Sequence, residues 1–506
     1  QDNKVSSTTR IEVVTEGILT RMLQDDPALE SVGVVIFDEF HERNLNSDLG
    51  LALCLDAQQG LREDLRLLVM SATLDTNAVV TLLDNAPLLC SEGKSYPVTT
   101  HYRPLPSGFS RDRRRFIQSL TQQLRHILDE QEGSALVFLP GAGEISQVHA
   151  SLQELINKDE MIIAPLYGQL TAREQDAAIQ PAPTGKRKVV LATSIAETSL
   201  TIDGIRIVID SGLMRVPRFD PNTGMTRLET LSVSQASATQ RCGRAGRLQA
   251  GVCYRLWSEN THLVPQSRPE IMDADLAPLI LELALWGVTE TQDLQWLDSP
   301  PSAHVEQARD LLQQLGAIDS QGKITEHGKR MNKLGVHPRL AHMMIRGKEL
   351  GVASLACHIA ALLSERDVLR GRHRQTDLLL RLEAMSAHAP STEIDKKAIQ
   401  QVRQTAQQWQ RALHIADKDT PTAFELSGVL LAFAYPDRIG QRRHSHTGRY
   451  RLSNGRGAQL DEGDMLASEA FIVAAHLDGA SEARLYLAAG ITQEKLEHYH
   501  ADRIGV

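Results

Sequence analysis

The stretch VVIFDEFHERNLNSD, residues 34–48, decides the fold. An apolar run from Val34 to Phe37 stops abruptly at Asp38, Glu39, Phe40, His41, Glu42 and Arg43. A short strand apolar on both faces belongs inside a parallel sheet, and such sheets bind ligands at the carboxyl ends of their strands. Asp38 and Glu39 stand at such an end. Acids around a histidine suit either a directly bound catalytic metal or the magnesium and water site of a nucleotide-driven motor. A zinc hydrolase needs H-E-x-x-H, and position 45 is Leu, so the motor site fits better. In such a motor Asp38 holds magnesium and Glu39 polarises the attacking water. Taken alone, the same pair equally suits an acidic helix N-cap, so the rest of the chain has to decide.

Working outward, short β-branched runs alternate with helical patterns through the first half. Strands are expected at 32–38, 65–72, 134–140, 161–168, 187–194, 205–212 and 252–257. Their spacing predicts two α/β domains with parallel sheets covered by helices. Residues 95–108 carry three prolines and are expected to link the two domains. Alternation on either side of Asp220-Pro221-Asn222-Thr223-Gly224 predicts an inserted β-hairpin over 213–231. After Trp257 amphipathic helices with a short turn at Gln321-Gly322 predict a winged helix over 263–335. A helical domain is expected over 336–430, and short strands with glycine turns predict a small β-barrel over 431–506.

A chain of 506 residues with 42% hydrophobic content has room for several cores. No apolar run reaches the roughly 20 residues that span a bilayer. The start QDNKVSSTTRIEVV has no secretory pattern, and the cysteines at 54, 90, 242, 253 and 357 form no C-x-x-C pair. Reduced thiols in a cytoplasmic protein are therefore expected. The net charge of −9 hides three Arg-rich segments, at 102–115, 240–247 and 437–451. Most basic clusters are merely solvated faces, but arginine also forks onto phosphate oxygens.

Two further motifs carry chemistry. The next strand ends in MSATLD, placing Ser71 and Thr73 beside the first strand's acids, where their hydroxyls would bond to His41 and sense the state of the nucleotide. In SQASATQRCGRAGR, residues 234–247, a helix would set Gln240, Arg244 and Arg247 on one face. That face suits a γ-phosphate: Gln240 orients water while the two guanidiniums offset charge. Gly243 and Gly246 imply a tightly approached backbone.

Together DEFH, SAT, VVLATSIAETSLTIDGIRIVIDSG and SQASATQRCGRAGR resemble the DEAH/RHA group of superfamily 2 helicases, and the domain order resembles that group along the whole chain. Phe40 departs from the group's usual Ala. The resemblance implies two RecA-like motor domains, at 1–102 and 103–262, followed by the winged helix, the helical domain and an OB-like barrel. It implies an ATP-dependent RNA helicase using magnesium and single-stranded RNA, with DNA or a ribonucleoprotein as alternative substrates. Asp38 would bind magnesium through water and Glu39 act as general base, while His41, Ser71 and Thr73 couple hydrolysis to domain movement. Asp203 would approach the nucleotide sugar, with Gln240, Gly243, Arg244 and Arg247 around the phosphates. RNA contacts would fall on Thr15, Glu16, Gly17, the Pro140-Gly141 pair, Thr193 and Ser194. The hairpin would help part strands or block slippage, and the barrel's basic segment, with Arg442 and Arg443, would form an RNA entry surface.

One expected part has no match. A motor of this type needs G-x-x-x-x-G-K-[ST] to cradle the phosphates. Gly93-Lys94-Ser95 has Leu at 88 where the first glycine should be, and Pro97 forbids the helix that should follow. The Gly-Lys pairs at 185, 322, 328 and 347 lack a following Ser or Thr. The first motor domain is therefore expected to be N-terminally incomplete in this sequence. Alone, the chain would be inactive as an ATPase, or only an RNA-binding module.

Overall fold

The computed structural model describes residues 5–6, 8–72, 76–91, 96–106, 112–157, 159–197, 200, 202–370, 375–385, 394–415, 423–443, 447–461, 463–480 and 482–501. Thr73 and the Gly93-Lys94-Ser95 decoy lie outside these residues. The chain divides into two compact units. The first comprises 1–218, 228–274 and 295–298, and the second comprises 219–227, 275–294 and 299–506.

The first unit contains two parallel sheets. In the smaller one, β1 (Val34–Phe37) pairs with β2 (Arg66–Val69), Phe37 lying opposite Val69. The helix Leu45–Gly60 connects them, capped by Asn44, whose side chain accepts the Ser47 N–H at 2.8 Å. Its residues 47–55 are buried throughout. Val35 and Phe37 are buried, but Val34 and Ile36 are 50% and 53% exposed. The expectation of a strand buried on both faces is corrected: among the described residues only one face is covered.

The larger sheet takes β3 (Val98–Tyr102), β4 (Ser134–Phe138), β5 (Met161–Leu166), β6 (Arg187–Ala192) and β7 (Ile205–Asp210). Beyond a hairpin of β8 (Leu213–Asp220) and β9 (Met225–Ser232) it adds β10 (Gly251–Arg255). The order is β3-β10-β7-β4-β6-β5, with every pairing parallel. Val137, Val189, Ile207 and Ile209 pack on one face with Leu120, Leu124 and Ile127 of the helix Arg113–Glu130. Leu136, Phe138, Val190 and Val208 form the other face's core. Two covered faces explain why these strands read as continuous apolar runs.

Residues 98–102, expected as linker, instead supply this sheet's edge strand, with Thr99 opposite Val252. Pro97 is tolerated because it stands just before the strand, where no ladder donor is lost.

The second unit holds the helices Ala277–Trp286, Ser302–Gln314 and Glu326–Asn332, the last two joined by a wing reduced to one antiparallel bridge, Ile318 to Ile324. A helical stretch follows, including Pro338–Glu349, Ala353–Ser364, Lys396–Ala412 and Ser427–Ala434. The closing element is a five-stranded closed barrel of β11 (Ile439–Arg442), β12 (Arg449–Leu452), β13 (Gly457–Gln459), β14 (Phe471–Leu477) and β15 (Glu482–Gly490). Tyr450 is fully buried in its core and donates its hydroxyl to the Leu466 carbonyl at 2.6 Å.

The hairpin tip, residues 219–227, is part of this second unit. Arg438 holds it: Nη2 donates to the Gly224 carbonyl at 2.8 Å and Nη1 to the Ala475 carbonyl at 3.0 Å. Its guanidinium lies 4.7 Å from the centre of the Tyr435 ring, and Arg339 forks onto the adjacent Asp437.

Candidate active site

The acid loop is a strained turn stapled to the neighbouring strand. Asp38 is exposed, and its Oδ1 accepts the Glu39 N–H at 2.8 Å. Glu39 adopts φ 51°, a left-handed conformation costing a non-glycine residue on the order of 1 kcal/mol. The Phe40 N–H donates to the Met70 carbonyl at 3.0 Å, and the Met70 N–H to the Phe37 carbonyl at 2.8 Å. Phe40 itself is buried, edge-on to Phe37 at 6.2 Å. The bulkier residue at this position therefore anchors the turn. Arg43, also left-handed, is buried and reaches Asp48 at 3.0 and 3.2 Å and Asp298 at 2.7 Å. Burial lifts the Asp48 carboxyl above its ordinary range although Arg43 draws it down.

His41 is the joint of the site. Its Nδ1 accepts the Ala72 N–H at 3.3 Å, beside exposed Ser71 at the end of the second strand. His41 Nε2 lies 3.4 Å from Glu39 Oε2 and 3.0 Å from Gln240 Nε2.

Gln240 sits on the helix Gln235–Gly243, capped by Ser234, which accepts the Ser237 N–H at 3.1 Å. This helix is oriented by Arg241, whose guanidinium is fully buried against Glu197 and Asp210, with Nη1 2.8 Å from Asp210 Oδ1. The Phe138 ring lies beneath it at 4.8 Å. Glu197 and Asp210 were not expected from sequence. Their signal was the unmatched arginine, since a buried guanidinium requires carboxylates nearby.

The helix ends at Gly243, and Arg244–Gly246 form a 3-10 turn. The expectation of one helical face carrying 240, 244 and 247 is corrected accordingly. Arg244 is buried and donates to the carbonyls of Glu197 at 2.8 Å and Leu200 at 2.7 Å, whereas Arg247 is exposed. Burial, helped by Arg247, pushes the Arg244 guanidinium down to about 10, against the pull of Glu39 and Glu197. Of the two glycines, Gly246 is closely approached, since a Cβ there would lie 2.6 Å from the Tyr96 carbonyl. Gly243 is exposed, and a Cβ on it would meet nothing within 4 Å among the described residues. Asp203 is exposed in the turn before β7.

The expected nucleic-acid contacts fall in three places. Thr15 and Gly17 are exposed at the start of the helix Glu16–Asp25, where Thr15 makes no side-chain cap. Glu16 is half-buried, and its carboxylate accepts from Asn44 Nδ2 at 3.0 Å and Ser47 Oγ at 3.4 Å, tying this segment to the acid loop. Gly141 follows β4, and Thr193 and Ser194 follow β6; these strands are sheet neighbours, with Phe138 opposite Ala192. In the second unit, Arg442 donates to the Ser468 carbonyl at 2.6 Å and Arg443 pairs with Glu482 at 3.1 Å.

Parallel sheets with this loop and arginine segment are features this chain shares with helicase domains. Residues 117–249 match the helicase conserved C-terminal domain and residues 308–336 the winged-helix helicase associated domain, HA2. By sequence and fold the chain is similar to helicases of the DEAH/RHA group. It is 44% identical over 499 residues to the ATP-dependent RNA helicase HrpB of Escherichia coli (strain K12), covering 98% of this chain and 58% of that protein. It is 36% identical over 378 residues to the probable ATP-dependent RNA helicase DHR2 of Saccharomyces cerevisiae, covering 73% of this chain and 51% of that one. The crystal structure of E. coli DExH-box NTPase HrpB superposes with a TM-score of 0.82 at 43% identity, covering 99% of this chain and 59% of that chain. The chain thus spans under two thirds of these relatives' length.

Proposed function

We propose that this chain serves an ATP-dependent RNA helicase of the DEAH type, in which nucleotide hydrolysis drives movement along single-stranded RNA. The observation that carries this is the meeting of His41 and Gln240 at 3.0 Å, which joins the acid loop to the arginine segment. Hydrolysis in one place and movement in another need such a joint.

Asp38, an exposed carboxylate at a sheet edge, has the hard oxygen donors that magnesium takes, directly or through water. The metal, when bound, supplies charge neutralisation on the phosphates. Glu39 takes the proton of the attacking water, with His41 beside it holding the carboxylate in place. Gln240 orients that water, and exposed Arg247 offsets charge as the bond breaks. Arg244 supports the same region through the carbonyls it binds, and Asp203 is free to meet the nucleotide sugar. Thr15, Gly17, Gly141, Thr193 and Ser194 offer hydroxyls and backbone amides to phosphates, a grip indifferent to base sequence. Ser71 and Thr73 stand with His41 as coupling residues, and Arg442 and Arg443 as part of the entry surface.

The test is ATP hydrolysis by the full-length protein with and without single-stranded RNA, beside Glu39→Gln. RNA-stimulated turnover that is lost in Glu39→Gln is expected, with a matched DNA strand competing poorly because it lacks 2′-hydroxyls. Turnover indifferent to RNA, or surviving in Glu39→Gln, overturns the assignment. Salt-sensitive RNA binding without turnover would leave an RNA-binding module instead.

A further inference from the structure

The hydrolytic scheme above makes no use of Glu144, a completely buried acid. Glu144 lies in the first turn of the helix Ala142–Leu155. Arg113 Nη2 reaches its Oε1 at 2.6 Å, and Arg215 Nη2 reaches the same atom at 3.2 Å. Arg113 belongs to the basic run 102–115 and Arg215 to β8, so two distant segments converge on one carboxylate. Two guanidiniums on one acid leave positive charge in surplus, and both keep contact with solvent, their side chains being 46% and 26% exposed.

The backbone makes room for them. A Cβ at Gly141 would lie 2.5 Å from Arg215 Nη1, and one at Gly143 would lie 2.6 Å from Arg113 Nη2. Gly141 has φ −168°, which any residue adopts, so space rather than conformation calls for glycine there. Glu144 Oε2 is buried and has no hydrogen-bond partner among the described residues. A carboxylate is tolerated in such a place when the charges it holds are needed where they stand.

We propose that Arg113 and Arg215 grip one phosphodiester of the bound strand beside Gly141, and that Glu144 is the positioning residue that aims both guanidiniums. This rests on the RNA-translocase assignment and adds to it two phosphate ligands and their support. Arginine forks fit phosphate oxygens, and holding the fork in advance removes much of the ordering cost of binding.

The experiment is binding of a fluorescent oligouridylate to the full-length protein over a range of salt, with a melting curve for each variant. Arg113→Ala and Arg215→Ala are each expected to weaken binding about tenfold, as for a lost hydrogen bond to a charged group. Each should also flatten the dependence of log K on log salt by about 0.7, the value for one contact on a single strand. Arg215→Lys should keep the slope and lose affinity. Glu144→Gln gives a test of sign. If Glu144 were only an acid near the strand, neutralising it would tighten binding; as the residue that aims the arginines, its loss should weaken binding. If Glu144→Gln melts below the assay temperature, the arginine variants decide. Unchanged affinity and slope in both, with the parent protein binding RNA, overturns the grip and leaves the helicase assignment standing. A parent protein that binds no RNA overturns both.

Discussion

His41 and Gln240 stand 199 residues apart in the chain, and their side chains meet at 3.0 Å. Each is positioned by its own local structure: His41 by a left-handed turn stapled to the second strand, Gln240 by a helix locked through Arg241. If this contact transmits the state of the nucleotide, His41→Ala and Gln240→Ala should be non-additive in RNA-stimulated hydrolysis. A coupling of about 0.5–3 kcal/mol is the range for residues in contact. Fully additive losses in the double variant would remove the contact from the mechanism.

The two chemical groups give the largest expected losses. Glu39→Gln should reduce turnover by about 10²–10⁴-fold, as for a general base. Arg247→Ala should cost on the order of 10³-fold as an arginine finger. Single-turnover hydrolysis at saturating ATP measures both, and a loss below about tenfold would strip either residue of its assigned role.

Arg241 should behave as a structural residue despite its neighbours. Arg241→Met leaves Glu197 and Asp210 buried without a counter-charge, at a cost of about 3–5 kcal/mol. The midpoint of urea unfolding should fall accordingly, whereas exposed Arg247→Ala should move it little. Equal midpoints for the two variants would contradict the buried network.

Cys242, one residue before the helix end, predicts a pH dependence. A hydrogen bond from the Cys253 thiol, opposed by burial, draws its thiol down to about 6. Cys253 is pushed up by the same bond and by its own burial. Between pH 6 and 9 the unfolded chain holds a proton at Cys242 that the folded protein has released, so stability should rise with pH across this window. Above pH 9 Cys253 keeps a proton that the unfolded chain loses, and the gain should reverse. Iodoacetamide labelling of Cys242, followed by peptide mass, should rise to half its plateau near pH 6, and Cys253→Ala should move that point upward. Labelling that follows an ordinary thiol in both proteins would refute the pairing.

Arg438 should govern the hairpin tip. Replacing it with Met removes the donor to the Gly224 carbonyl, and limited proteolysis should then nick residues 220–224 faster at unchanged overall helix content. Equal cleavage rates would show that the tip is held by other contacts.

Much of this protein was determined by local sequence alone. Strand positions, the hairpin turn at Asp220–Gly224, the helical stretch and the barrel follow from periodicity and turn chemistry, which act over a few residues. The acid and arginine motifs are equally local, because their chemistry lies in residue type and order. What the tertiary structure decided was where each group is buried. It placed Val98–Tyr102 on a sheet edge, since pairing with β10 outweighed a proline-rich context. It ended the helix at Gly243, so that Arg241 and Arg244 turned inward to carboxylates and carbonyls while Arg247 stayed exposed. Identical side chains in one short motif thus acquired different roles. A guanidinium is stable wherever oxygen partners converge on it, and that convergence comes from segments far apart in the chain.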